Sequence, residues 1–157
     1  MELLNTHPVK KSDLGFHGNL FGGKLLAWLD ASAAAYAMQV CDTPRMVTVS
    51  IDRCVFERPA KEGQLLKLYG LVKEVGNTSV TMQVQARSHN VYNGRQNIVL
   101  DTFIKFVRVD EQGEAIPISD RVRNKVMCDK VMEEPHMDNK DLEGTGLRWT
   151  NKDNKKG

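Results

Sequence analysis

The sequence predicts an α+β domain in which one long, buried helix is wrapped by an antiparallel sheet. Two observations predict it. Residues 21 to 40 carry apolar side chains at helical spacing on two faces, with no proline among them. From Val47 to Val109 the pattern changes to runs that alternate in steps of two, divided by Gly, Asn and Asp clusters. No period of 20 to 50 residues is visible, which excludes a repeat architecture.

The elements follow in order. Residues 1 to 16, with Pro8 and the polar run Lys10 to Asp13, read as a short edge strand or extended arm leading into a loop. The loop turns at Gly18, Gly22 and Gly23 and enters a helix from about Phe21 to Val40, which stops before Asp42-Thr43-Pro44. Phe21, Leu25, Trp28, Leu29, Ser32 and Tyr36 form a bulky stripe that suits packing on a sheet. Gly23, Leu26, Asp30, Ala33, Ala34 and Ala37 form an opposite stripe that would let a second backbone approach.

Four strands then follow. Val47, Val49 and Ile51 alternate with Thr48, Ser50 and Asp52, and the phase slips at Arg53 to Phe56, which predicts a bulge. Leu65 to Val75 and a one-sided strand through Val80, Met82, Val84 and Ala86 meet at a tight Gly76-Asn77 turn. A polar loop around Asn93-Gly94 leads to a strand from Ile98 to Val109. After Pro117, Ser119 caps a helix to about Glu133 whose apolar positions define no clean face. From Glu134 the chain is polar, with Trp149 as its one anchor residue, and is expected to be a mobile tail. The expected organisation is a domain over 1–118, a helix over 119–133 and a tail over 134–157.

Asp30 is the residue that needs explaining. Between two apolar faces it has few routes to water, so it is expected to be buried and either paired structurally or functional. The segment before it favours chemistry. Asn19 offers an amide, and Gly22 and Gly23 offer unobstructed N–H groups at a helix start, where negative charge is favoured. Such a terminus can polarise a carbonyl and hold an oxyanion, while a carboxylate can act as base or nucleophile. Gly23 and Asp30 lie seven residues apart, roughly 10 Å along a helix at 1.5 Å per residue. One helix therefore cannot close the site, but two antiparallel copies across a two-fold axis can.

The run from His17 to Asp30, with Gly22-Gly23 between, resembles the signature of the hot-dog-fold acyl-CoA thioesterases, the acyl-CoA hydrolases. The resemblance continues through Val47 to Asp52, Phe56-Glu57-Arg58-Pro59, Gly63, Val75 to Ser79 and Phe103 to Pro117. It implies a hot-dog fold pairing into a double hot-dog dimer, with sheets edge to edge and long helices antiparallel. It also implies hydrolysis of acyl-CoA to free fatty acid and CoA, with Asn19, Gly22 and Gly23 from one subunit and Asp30 from the other. Three dimers associating into a hexamer would complete the assembly. Arg58 and Lys61, and the turn of Gly76, Asn77, Thr78 and Ser79, are candidates to meet the CoA tail through cations and a nest of N–H groups. CoA is part of the substrate, and neither a cofactor nor a metal is implied. Two other readings are a hydroxyacyl-thioester dehydratase, which would enlist His17, and a non-catalytic acyl-CoA-binding module in which Asp30 only fixes packing.

Bulk properties agree with a single domain. The 157 residues carry a net charge of +2, with 27% charged and 41% hydrophobic side chains. That balance does not argue for a nucleic-acid partner. Cys41, Cys54 and Cys128 are odd in number and far apart, so they form neither a metal pair nor a disulfide framework. No apolar run reaches membrane-spanning length and no signal pattern opens the sequence, so a cytoplasmic location is expected.

Overall fold

A computed structural model describes residues 1–132, with side chains through residue 130. Five strands form one antiparallel sheet in the order β1-β3-β4-β5-β2. They are β1 (Glu2–Pro8), β2 (Met46–Ile51), β3 (Leu65–Val75), β4 (Ser79–His89) and β5 (Gln96–Arg108). Helix α1 (Gly22–Cys41) lies across one face, and α2 (Asp120–Met132) packs against α1 and β3.

The sheet interior follows the expected alternation. Val80, Met82, Val84 and Ala86 of β4 are fully buried beneath α1, and Met82 sits between Val72 of β3 and Ile104 of β5. Each buried aliphatic side chain of this kind stabilises the fold by about 1.5–3 kcal/mol relative to exposure. Helix α1 starts after Phe21, which is extended, and ends at Asp42, the one non-glycine residue with positive φ (51°) among the described residues. Asp tolerates this left-handed conformation, and the Asp42 N–H closes the helix on the Met38 carbonyl.

Three details differ from the sequence expectation. First, the buried line of α1 is Leu25, Leu29, Ser32, Ala33, Ala37 and Cys41, drawn from both expected stripes. Small Ala33 and Ala37 let the helix seat closely on the sheet, while Phe21 is 60% exposed and Asp30 is only half-buried. Asp30 is therefore not sealed within the chain. Second, the bulge lies between Thr48 and Ser50, and β2 ends at Ile51 before Arg53. Thr48 shares the helix face with buried Met46, opposite buried Phe106, and the extra residue after it brings Ile51, opposite buried Ile104, onto that face, which breaks the Val47-Val49-Ile51 alternation. Third, α2 has a clean face. Val122 and Val126, one turn apart, are buried with Ile118, while Met127 points outward.

The ends of α2 and β1 are tied down by polar contacts. The Ser119 hydroxyl accepts the Val122 N–H at 3.4 Å, as expected of a cap. Arg123 donates to the carbonyls of Val75 (3.1 Å) and Gly76 (2.9 Å), and Lys130 donates to the Lys73 carbonyl. Beneath β1, the His7 ring stacks on Trp28 at 4.4 Å and 2°. Its Nε2 is buried with no partner among the described residues, and burial pulls the imidazole below its ordinary pKa while the Asp13 charge pulls the other way. Glu133, the polar tail and Trp149 lie outside the described residues.

Candidate active site

The loop before α1 is clamped by a buried aspartate. Asp13 Oδ2 accepts the Lys10 N–H at 2.9 Å, and Oδ1 lies 3.4 Å from Lys24 Nζ. Its carbonyl accepts the Phe21 N–H at 3.0 Å, so one residue fastens both ends of the loop. The Lys10 N–H and then Lys24 hold the Asp13 carboxyl below the usual carboxylate range, against the opposing effect of burial. Between these ends, Gly18 takes a positive φ (76°), the Gly15 N–H bonds the Asn19 carbonyl at 2.7 Å, and Asn19 bridges to Lys61.

This clamp leaves two amides over. The N–H groups of Leu20, Phe21, Lys24 and Leu25 bond to Ala60, Asp13 and, for the last two, the Phe21 carbonyl. Those of Gly22 and Gly23 have no acceptor among the described residues. They stand at the positive end of a 20-residue helix, where such donors attract a developing negative charge. The Asn19 side-chain amide likewise makes no hydrogen bond among the described residues. Two aromatic rings flank the glycines. Phe56 lies against Gly22 and Phe21 against Gly23, both closely enough that a Cβ would crowd them.

Two turns further along α1, the Thr48 hydroxyl donates to Asp30 Oδ1 at 2.7 Å. Asp30 Oδ2 has no partner among the described residues. One oxygen is thus fixed by the edge strand β2 and the other is open, which suits a positioned general base. The geometry also keeps the spacing problem intact, since Asp30 and Gly23 sit on one continuous helix.

Comparison with known proteins bears directly on this arrangement. Residues 17–93, which contain the loop, α1 and the Asp30–Thr48 contact, match the model of the Thioesterase superfamily. The chain is 28% identical over 117 residues to the uncharacterized acyl-CoA thioester hydrolase YkhA of Bacillus subtilis, covering 74% of this chain and 67% of that one. It is 28% identical over 129 residues to the acyl-CoA thioester hydrolase YciA of Escherichia coli, covering 72% and 97%. In structure it resembles Cj0915, a hexameric hotdog fold thioesterase of Campylobacter jejuni, with a TM-score of 0.71, 29% identity and coverage of 81% and 97%. Residues 17–93 thus carry the thioesterase-superfamily pattern. The chain's sheet and helix are a hot-dog fold.

The other predicted residues fall into two separate groups. Arg58 and Lys61 lie at the α1-start end. Arg58 donates to Asn97 Oδ1 at 3.1 Å, the Lys61 N–H donates to Gln64 Oε1 at 2.9 Å, and both side chains are exposed. Gly76 to Ser79 lie at the opposite end, beside Arg108. Asn97 and Arg108 stand near the two ends of the 13-residue β5, roughly 35 Å apart at about 3.3 Å per residue. Within one chain the two groups cannot meet one phosphate.

Of the expected nest of N–H groups at Gly76 to Ser79, the Gly76 N–H is engaged within the chain. The Gly76 N–H closes the hairpin on the Ser79 carbonyl at 2.8 Å, and the Gly76, Asn77 and Thr78 carbonyls accept from Arg123, Ile118 and Arg108. The turn anchors α2. No hydrogen bond joins His17 to Asp30; its ring instead meets Phe16 edge-on at 5.2 Å.

Sequence reasoning missed Thr48, Asp13 and Phe56. Thr48 sits in an alternation that assigned it to solvent, but it shares the inward face of buried Met46, which opens the strand. Asp13 carried one legible signal, a carboxylate next to Leu14 at the edge of a glycine loop. Among the described residues no group of three His, Cys, Asp or Glu side chains converges to hold a metal. No described helix is long and apolar enough to cross a membrane.

Proposed function

We propose that the chain is an acyl-CoA thioesterase that hydrolyses acyl-CoA to fatty acid and CoA, with each active site shared by two subunits. The observation that carries this reading is the pairing of free Gly22 and Gly23 amides with a carboxylate, Asp30, that is fixed on one oxygen and open on the other. The edge strand β2 supplies the means of bringing copies together. Among the described residues it pairs only with β5, and Val47, Val49 and Ile51 on it are 42%, 52% and 38% exposed. A second copy added antiparallel along β2 would continue the sheet and set the two α1 helices side by side, so that Asp30 of each faces the glycine amides of the other.

In that arrangement the thioester carbonyl oxygen accepts from Gly22 and Gly23 as charge develops on it, with the Asn19 amide beside them. Asp30 takes a proton from water as the water attacks the carbonyl carbon. The tetrahedral intermediate collapses, the C–S bond breaks and CoA leaves as a thiolate, which needs no strong general acid. Single turnover in ¹⁸O-labelled water tests this role of Asp30, because general-base attack places the label in the product alone, whereas attack by the carboxylate followed by opening of the anhydride at the Asp30 carbonyl would place it in Asp30 and leave the product unlabelled. Arg58 and Lys61 are placed to meet CoA phosphates near the helix start, whereas the Gly76–Ser79 turn could do so only from another subunit. Three such dimers forming a hexamer, a 1–118 catalytic unit and a cytoplasmic location complete the reading. The three free thiols suit a reducing compartment.

Free-CoA release from a panel of acyl-CoAs, together with oligomer size by light scattering, tests the reading. Turnover by a dimer or hexamer, and none by a variant confined to the monomer, is the expected result. Tight acyl-CoA binding without release would instead favour the binding-module reading.

A further inference from the structure

The mechanism above leaves Phe56 unused, although its ring lies on the glycine whose amide is free. A Cβ added to Gly22 would stand 3.2 Å from Phe56 Cζ and 3.6 and 3.7 Å from its Cε2 and Cε1, so the tip of the ring covers the place where a side chain would be. The ring is also 48% exposed, leaving a free apolar surface next to that amide. Its position is fixed by its neighbours. The Glu57 N–H bonds the Val99 carbonyl and the Asp52 N–H bonds the Phe103 carbonyl, both at 2.9 Å, which pins the segment to β5 on either side of Phe56.

We propose that Phe56 is a specificity-determining residue that reads the shape of the acyl chain at C2, the carbon next to the thioester carbonyl. The inference rests on the thioesterase reading. An oxygen accepting from the Gly22 N–H lies about 2.9 Å from that nitrogen. The carbonyl carbon is one bond further and C2 one bond beyond it, within reach of a ring already in contact with Gly22. A straight chain presents a slim methylene to the ring, whereas a methyl branch at C2 presents a second carbon to a ring whose backbone is held on β5. Phe56 therefore admits straight chains and hinders branched ones, a contrast of one methyl group that is worth roughly 10–200-fold in an apolar pocket.

The test uses isomeric pairs of straight-chain and 2-methyl-branched acyl-CoAs, n-butyryl against isobutyryl at the short end, so that carbon count and CoA contacts stay constant. The full-length wild type should prefer the straight isomer in kcat/KM by ~10-fold or more, and Phe56→Ala should move that ratio toward one by ~10-fold, with Phe56→Leu between. A purely structural role would lower both rates together and leave the ratio unmoved. If Phe56→Ala does not fold, Phe56→Leu carries the comparison alone. Equal use of the two isomers by the wild type, or an unchanged ratio in folded variants, overturns the proposal. Failure of the wild type to release CoA from any acyl-CoA overturns the thioesterase reading instead, and this inference falls with it.

Discussion

Asp13 and Asp30 are two carboxylates on either side of one glycine turn, and they are treated in opposite ways. Asp13 is 4% exposed and has both oxygens engaged, one by a backbone N–H and one by Lys24. Asp30 is half-buried with one oxygen held by Thr48 and the other open. A carboxylate whose acceptor sites are filled from its own chain fixes a loop. One that is oriented but has an oxygen to spare can take a proton. The contrast locates chemistry by what is left unsatisfied, and the same holds for the amides, where Gly22 and Gly23 are free while their neighbours are paired.

The largest effect that would break or sharpen this contrast is on Asp30. Asp30→Asn keeps the shape and the Thr48 partner but removes the base, so CoA release should fall by about 10²–10⁴-fold with melting temperature and oligomer size unchanged. A melting temperature that drops while activity persists would make Asp30 the structural carboxylate of the pair. Thr48→Val comes next. Losing one hydrogen bond to a charged group costs about 1.5–3 kcal/mol, so kcat should fall roughly 10- to 100-fold, and Thr48→Ser should restore most of it. Failure of the serine to rescue would show that the Thr48 methyl matters, and not the hydroxyl.

Asp13→Asn should do the reverse of Asp30→Asn, with a clear loss of stability and a smaller loss of rate. The folded-state pKa of Asp13 lies below its unfolded value, so its stabilisation is present above the unfolded value and disappears as pH falls through the folded one. Thermal melts across the acid range should show the wild type losing stability there, and the variant, which starts lower, losing less. Parallel acid curves would mean that Asp13 contributes no linkage.

Much of this was legible in the sequence, but unevenly. The strand alternation of β3 and β4 and the length of α1 depend on local periodicity, so they could be read directly. Asp30 could be singled out because a lone carboxylate in an apolar helix is conspicuous in any structure. The faces of α1 could not be, because the line that is buried depends on how the helix seats on a sheet built from residues far along the chain. Thr48 was hidden for a related reason, since buried Met46 and not Val47 sets the inward phase of β2, and the bulge after Thr48 then returns Ile51 to the same face. The anchoring role of the Gly76 turn could not be read, because its carbonyls find partners in α2 and beyond Pro117, contacts that no local pattern announces.

The smallest effect, and the most discriminating about Asp13, lies in His7. Its imidazole is stacked on Trp28 with Nε2 buried, and that burial disfavours the charged ring. The negative charge of Asp13 favours the charged ring and offsets part of the burial, so the two residues are coupled through space without a hydrogen bond between them. Removing the charge in Asp13→Asn should therefore lower the His7 pKa further, whereas Asp30→Asn should leave it in place. Imidazole resonances followed by NMR through a pH titration would read both variants. A His7 titration that ignores Asp13→Asn would mean that the Asp13 charge is spent entirely on Lys10 and Lys24, leaving burial alone to set the ring's behaviour. A downward shift in that variant only would show that the loop's carboxylate acts beyond its own clamp, on the strand that closes the far edge of the sheet.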